Sequence, residues 1–264
     1  MTGRLVPRWF MVTAQTAARR VLADRSSSVV SLSIYVTVVV VISSLWRAAA
    51  EANDGMVVGY SVTALTWYIA TSEAAYMTLS IRMIEEIGDD IASGAVAAEL
   101  LRPAPVLGVR VASQLGRALP RLAACALLGV ALCLIAVGRP PDLVGVALAV
   151  PALILAITCN LLAQHAVASA SFWLRDARST WFLYQKLIFI SGGMLIPLEV
   201  LPDWLRHAAM ALPFMTMAYV PGRLASGHVE PWLLVVQLGW LVVLGGTATV
   251  LFSAGERRLQ TVGG

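Results

Sequence analysis

Apolar residues in this chain gather in long unbroken runs. They do not alternate as on a half-buried strand, and they do not recur every three to four residues as on a surface helix. Six runs approach the roughly 20 residues that a helix needs to cross about 30 Å of hydrocarbon. They lie at 29–46, 59–80, 112–137, 143–173, 181–197 and 232–252. The first holds the stretch Val38-Val39-Val40-Val41-Ile42, and the second is aromatic and rich in Ser and Thr. The fourth exceeds the length of a span, so it is expected to tilt or to project beyond the bilayer. The pattern predicts an all-α polytopic membrane protein with six transmembrane helices.

The segments between the runs carry their own periodicity. Near the N-terminus Phe10, Ala14, Ala17 and Val21 recur at helical spacing beside Leu5 and Trp9, while Arg8, Gln15 and Arg19 face elsewhere. This predicts an interfacial helix, apolar side toward the bilayer and arginines toward anionic lipid. Its 28 residues are longer than the basic start of an ordinary cleaved leader, so the first run is expected to remain a span. Between 199 and 231, Trp204, Leu205, Ala208, Ala209 and Leu212 have near-helical spacing, and Pro202, Pro213 and Pro221 divide the stretch. Short re-entrant helices anchored by Trp204 are expected there. The expected organisation is an interfacial helix over 1–28, a six-span domain over 29–254 and a tail over 255–264.

Composition strengthens the membrane reading. Of 264 residues, 59% are hydrophobic and 13% charged, with mean hydropathy +0.79. Soluble domains carry about 25% charged residues, so a water-soluble enzyme and a disordered chain are both excluded. The net charge of +4 does not indicate nucleic acid, because the basic residues are scattered rather than gathered into a patch. Their distribution instead sets an orientation. Fourteen arginines fall in the N-terminal tail, 81–121, 174–180 and the C-terminal tail, against four (Arg47, Arg139, Arg206, Arg223) in the opposite set. Both termini are therefore expected on the cytoplasmic side of the cell membrane. Cys125, Cys133 and Cys159 sit inside apolar runs without metal-site spacing and read as core residues.

The most informative polar stretch lies between the second and third runs. Glu85, Glu86, Asp89 and Asp90 fall on one side of a short helix, with Ile84, Ile87 and Ile91 on the adjacent side. Gly94 can end or turn that helix, and Pro103 stops the next one. Here the chain resembles the permease subunits of ATP-binding-cassette (ABC) exporters of the second exporter type. Those carry, after their second span, the pattern Ile-x-x-Gly-x-[Ile/Val]-Ala-x-x-Leu-Leu-Arg-Pro. It stands here as Ile91, Gly94, Val96, Ala97, Leu100, Leu101, Arg102 and Pro103. A second family-like stretch runs from Gly193 to Leu205 and continues at Leu212-Pro213-Phe214. The six-span group of viologen and drug exporters is the nearest in kind.

The resemblance implies that this segment is a cytoplasmic coupling helix docking on a separate ATPase subunit. Ile91, Gly94, Leu101, Arg102 and Pro103 then lie at or beside the contact. Glu85, Glu86, Asp89 and Asp90 precede the matched pattern and are added to the contact from their charge alone. A P-loop needs a glycine frame before its lysine, and the only lysine, Lys186, has none. ATP and Mg2+ are therefore expected on the partner ATPase, with no cofactor in this chain. One six-span bundle offers half a pathway, so a second copy or a homologous permease is expected beside it, along with membrane lipid, a small-molecule substrate and no nucleic acid.

Polar side chains inside the runs are costly in lipid and mark cavities or helix contacts. Glu73, with Thr66, Trp67 and Tyr76 around it, is a candidate for the translocation path. Asn160 and Gln164, one turn apart, suit a helix–helix hydrogen bond as well as a path. Lys186 precedes the Gly192-Gly193 pair, and the resemblance implies that spans two and five line the route. His165, His207 and His228 lie on different elements and form no metal or nucleophile constellation. The expected function is ATP-driven export of hydrophobic or amphipathic compounds such as a drug, antibiotic or lipid. A proton-coupled secondary transporter and a scaffold subunit of a membrane complex remain alternatives.

Overall fold

A computed structural model describes residues 7–78, 83–101, 103–173 and 177–262. Eleven α-helices account for most of them, with one two-stranded ribbon. Among the described residues, four helices are long and apolar enough to cross a membrane: Arg25–Glu51, Val106–Val137, Leu143–Phe172 and Trp232–Arg258. The six-span count is not reached by length. The run at 59–80 yields α3 (Val62–Met77, 16 residues), because an antiparallel turn pairing Met56–Val57 with Tyr60–Ser61 takes its first residues. The run at 181–197 yields α8 (Ala177–Ser191, 15 residues), which stops at the Gly192-Gly193 pair. At 1.5 Å per residue these helices rise only about 22–24 Å.

The N-terminal pair α1 (Arg8–Ala23) and α2 (Arg25–Glu51) meet at Asp24, which leaves helical geometry. Asp24 Oδ1 accepts from the Ser27 backbone N–H and caps α2. The predicted interfacial helix does more than lie on lipid: α1 packs along the first half of α6 (Val106–Val137). Gly116 permits this, since a Cβ there would stand 2.1 Å from the Ala14 carbonyl oxygen. Ala17 is buried in the same seam.

The core is built around α3 and α7 (Leu143–Ser169). Leu65 to Ala70, Ser72 to Ala75 and Ala64 of α3 are buried, enclosed by α2, α6, α7 and α10 (Tyr219–Ala225). The contacts are rich in alanine: Ala64, Ala70 and Ala74 on α3, and Ala149, Ala152 and Ala156 on α7. In lipid, apolar burial alone drives little association, and small side chains that let backbones approach supply the packing energy instead. Tyr35 of α2 reaches into this core and donates to the Ala70 carbonyl at 2.9 Å. The stretch 199–231 forms α9 (Asp203–Met210), a 3₁₀ turn at Pro213–Thr216 and α10. Of these, α10 is buried against α3 and α7, whereas Trp204 on α9 is exposed.

Candidate functional site

The stretch after α3 folds into α4 (Met83–Ala92) and α5 (Ala95–Leu100). Gly94, at φ +77° in the left-handed region, turns one into the other. Met83, Ile84, Ile87 and Ile91 are buried and share one cluster with Phe172, Tyr184 and Ile188. That face packs on α7 and α8. Glu86 and Asp89 are exposed, while Glu85 and Asp90 are partly covered. Leu101 is 88% exposed, and Pro103 is exposed beside it. Arg102, which the resemblance places at the ATPase contact, lies outside the described residues, as do Arg4, Arg82 and Arg175 of the orientation set.

A polar clamp adds to this apolar packing. Arg110, on the first turns of α6 and only 13% exposed, donates from Nη2 to Asp90 Oδ2 at 2.8 Å and from Nε to Glu99 Oε2 at 2.9 Å. One guanidinium thus holds the end of α4 and the end of α5 together across the Pro103–Pro105 bend. The four acids do not form one open face, because Asp90 is committed to an internal partner.

The candidate path residues are distributed unevenly. Thr66 is buried and returns its hydroxyl to the Val62 carbonyl at 2.8 Å. Trp67 is buried and donates from Nε1 to the Arg139 carbonyl at 3.2 Å. Asn160 Oδ1 accepts from Tyr184 at 2.6 Å and from Gln164 Nε2 at 3.1 Å, forming a closed network between α7 and α8. Tyr76, half-buried, accepts from Gln185 Nε2 at 3.3 Å, which joins α3 to α8. Lys186 stands on the exposed side of α8 with Phe182, Leu183 and Ile190, its Nζ 4.9 Å from the Phe182 ring centroid. Glu73 is the exception. It is fully buried on α3, and neither carboxylate oxygen has a hydrogen-bond partner among the described residues.

The sequence matches the model of the ABC-2 family transporter protein over residues 32–263. The chain belongs to that family. No curated protein matches it. As an ABC-2 family protein it is the membrane component of an ABC transporter, not the ATP-binding one, and ABC ATPase subunits are its partners.

At the opposite end of this ABC-2 bundle lies a polar cluster that the sequence pattern did not single out. Arg223 of α10 ion-pairs with Glu199 through Nη1 and with Glu230 through Nη2 at 2.6 Å. Its Nη1 also donates to Tyr60 at 2.7 Å, and Tyr219 donates to Glu199 at 2.6 Å. His228 packs against Tyr60, the rings tilted 43° with centroids 4.5 Å apart, and contacts Ser226 Oγ at 3.1 Å. Burial and the nearby Arg223 charge push His228 below its usual pKa. The cluster joins the start of α3, the 3₁₀ turn Leu198–Val200, α10 and the entry to α11 (Trp232–Val262). Its members come from separate elements, so only the fold brings them together. The same is true of Arg110 and Asp90.

Proposed function

We propose that the chain is the permease subunit of an ATP-driven exporter that moves hydrophobic or amphipathic compounds out of the cell. Both termini and the α4–α5 element lie on the cytoplasmic side in this reading, with the Arg223 cluster outside. Spans two and five are then the short helices α3 and α8. The carrying observation is α4 itself, with isoleucines seated on α7 and α8 and Glu86 and Asp89 left open to a partner.

The mechanism rests on those contacts. Two ATPase subunits closing on ATP push against the open face of α4 and against Leu101 and Pro103. The isoleucine face passes that displacement to α7 and α8, and Arg110 passes it to α6. Two bundles, from two copies or from homologous permeases, tilt against each other and release substrate outward. Tyr76 and Lys186 border the route between them, and Glu73, one turn before Tyr76 on α3, lies buried behind it. ATP and Mg2+ stay on the ATPase.

The test is the E86A/D89A variant, which leaves the Arg110 partner Asp90 in place. Assembled with its ATPase in vesicles, it is expected to keep folding and lose most substrate-stimulated ATP hydrolysis and export. Normal export with normal ATPase binding would sink the assignment of this face.

A further inference from the structure

The elbow between α1 and α2 builds a two-part cavity against α6. The first part, about 330 Å³, is apolar and is lined by Val21, Leu22, Val29, Leu32, Met77 and Ala124. That volume lies in the range of small-molecule pockets, about 300–1,000 Å³. The second part, about 160 Å³, adjoins it through the shared residues Val21, Ser28 and Arg121, and is lined by Arg20, Arg117 and Asp24. Arg25 stands at the rim of the apolar part.

Four arginines from three helices therefore surround the mouth of an apolar slot. None of them has a carboxylate partner among the described residues. Asp24, the single acid lining the mouth, accepts at Oδ1 from Ser26 Oγ at 3.0 Å and from the Ser27 N–H at 3.1 Å, and its one negative charge leaves the four arginines in excess. Arg121 is half-buried, and Arg117 stands one turn before it on α6. Pro120 lines the slot between them. The slot belongs to a seam fixed by Gly116 and Ala14, so the arginines are presented by packed helices and not by a loose tail.

We propose that this elbow is a binding site for an anionic phospholipid, one acyl chain in the apolar slot and the phosphate among Arg20, Arg117 and Arg121. Guanidinium groups recognise phosphate oxygens in bidentate fashion. Basic pockets between membrane helices are the usual seat of anionic headgroups. The apolar slot distinguishes a lipid from a free anion, and the net positive mouth distinguishes an anionic lipid from a zwitterionic one. Occupancy would lock α1 on α2 and α6 and make the bundle sensitive to membrane composition. The site is independent of the transported substrate.

The experiment is native mass spectrometry of the full chain in detergent with added phosphatidylglycerol, phosphatidylcholine, glycerol phosphate or inorganic phosphate. Phosphatidylglycerol is expected to be retained about ten-fold better than phosphatidylcholine, and R117Q/R121Q to lose that preference. A124F fills the slot without touching a charge and is expected to weaken the lipid to a similar degree. Melting curves of each variant in detergent establish that it is folded, and A124F gives a separate reading if the arginine pair does not fold. Equal retention of both lipids overturns the proposal. So does displacement of phosphatidylglycerol by glycerol phosphate or inorganic phosphate at equal concentration, which would mark a bare anion site. Loss of binding in R8Q/R19Q with R117Q/R121Q unaffected also overturns it, because the tail charge alone would then be responsible.

Discussion

Arg110 lies 2.8 Å from Asp90, a residue twenty positions earlier on a different helix. With Glu99 as its second acceptor, Arg110 adds a polar clamp to the apolar packing that seats α4 on the bundle. Asp90 is 44% exposed and Glu99 32%, so solvent screens the pair. R110Q is expected to cost only about 1 kcal/mol of stability. Its larger effect is mechanical. Amide hydrogen exchange over 83–100 should rise, and export per ATP hydrolysed should fall. Unchanged exchange in that segment would contradict the clamp.

Gly116 is a steric requirement of the α1–α6 seam, because any Cβ collides with backbone at Ala14. G116V is expected to cost about 1–3 kcal/mol through overpacking and so to lower the melting midpoint in detergent. It should also make α1 sensitive to protease ahead of the rest of the chain. A118G, at a buried position two residues on, serves as a comparison that leaves the seam intact.

E199Q leaves Arg223, whose side chain is 16% exposed, with Glu230 as its remaining carboxylate partner among the described residues. Removing one member of a fully buried pair costs about 3–5 kcal/mol, and the partial exposure together with the remaining Glu230 pair places E199Q below the lower end. The R223M/E199M double variant is expected to recover part of that loss, because the one charge it leaves unpaired, Glu230, is 31% exposed and reaches water. Thermal unfolding of the single and double variants decides the point.

The same cluster carries a pH dependence. His228 stands below its ordinary value of 6.5, with Arg223, Glu199 and Glu230 as its charged neighbours. The unfolded chain therefore takes up a proton that the folded chain resists. Stability is expected to fall as pH drops below about 6.5 and to be unaffected by this group above it. Melting midpoints measured between pH 8 and 5 should show a shallower decline in H228Q than in the parent.

The features legible in the sequence are those written in local periodicity. The long apolar runs mark α2, α6, α7 and α11, and the acid–isoleucine split marks α4, because both signals lie within a few turns of one helix. The lengths of α3 and α8 were not legible. Hydropathy does not register the Met56–Ser61 ribbon that takes the start of one run, nor a helix end at Ser191 inside an apolar context. Ion pairs such as Arg110–Asp90 and Arg223–Glu199 were hidden for a different reason. Their members sit on separate elements, and charge counted for orientation carries no information about which acid an arginine will meet. At Asn160 and Gln164 the one-turn spacing pointed to a hydrogen bond, and that bond forms. The further partner, Tyr184, comes from another helix.

Glu73 separates stability from transport more cleanly than any other position. A carboxylate buried in a membrane bundle with both oxygens unpartnered among the described residues works against folding, since desolvation is not offset by a hydrogen bond. Replacing it with an apolar side chain of similar volume removes that penalty, so E73L is expected to raise the melting midpoint. If α3 borders the route as proposed, the same variant should lose export while its ATPase subunits still bind. E73Q keeps the shape and hydrogen-bonding capacity without the charge, and is expected to fall between the two in export. Melting curves in detergent and export from vesicles, run on the same preparations, give both readings. An E73L protein that is both less stable and fully active would mean that the carboxylate is a structural element and no part of the path.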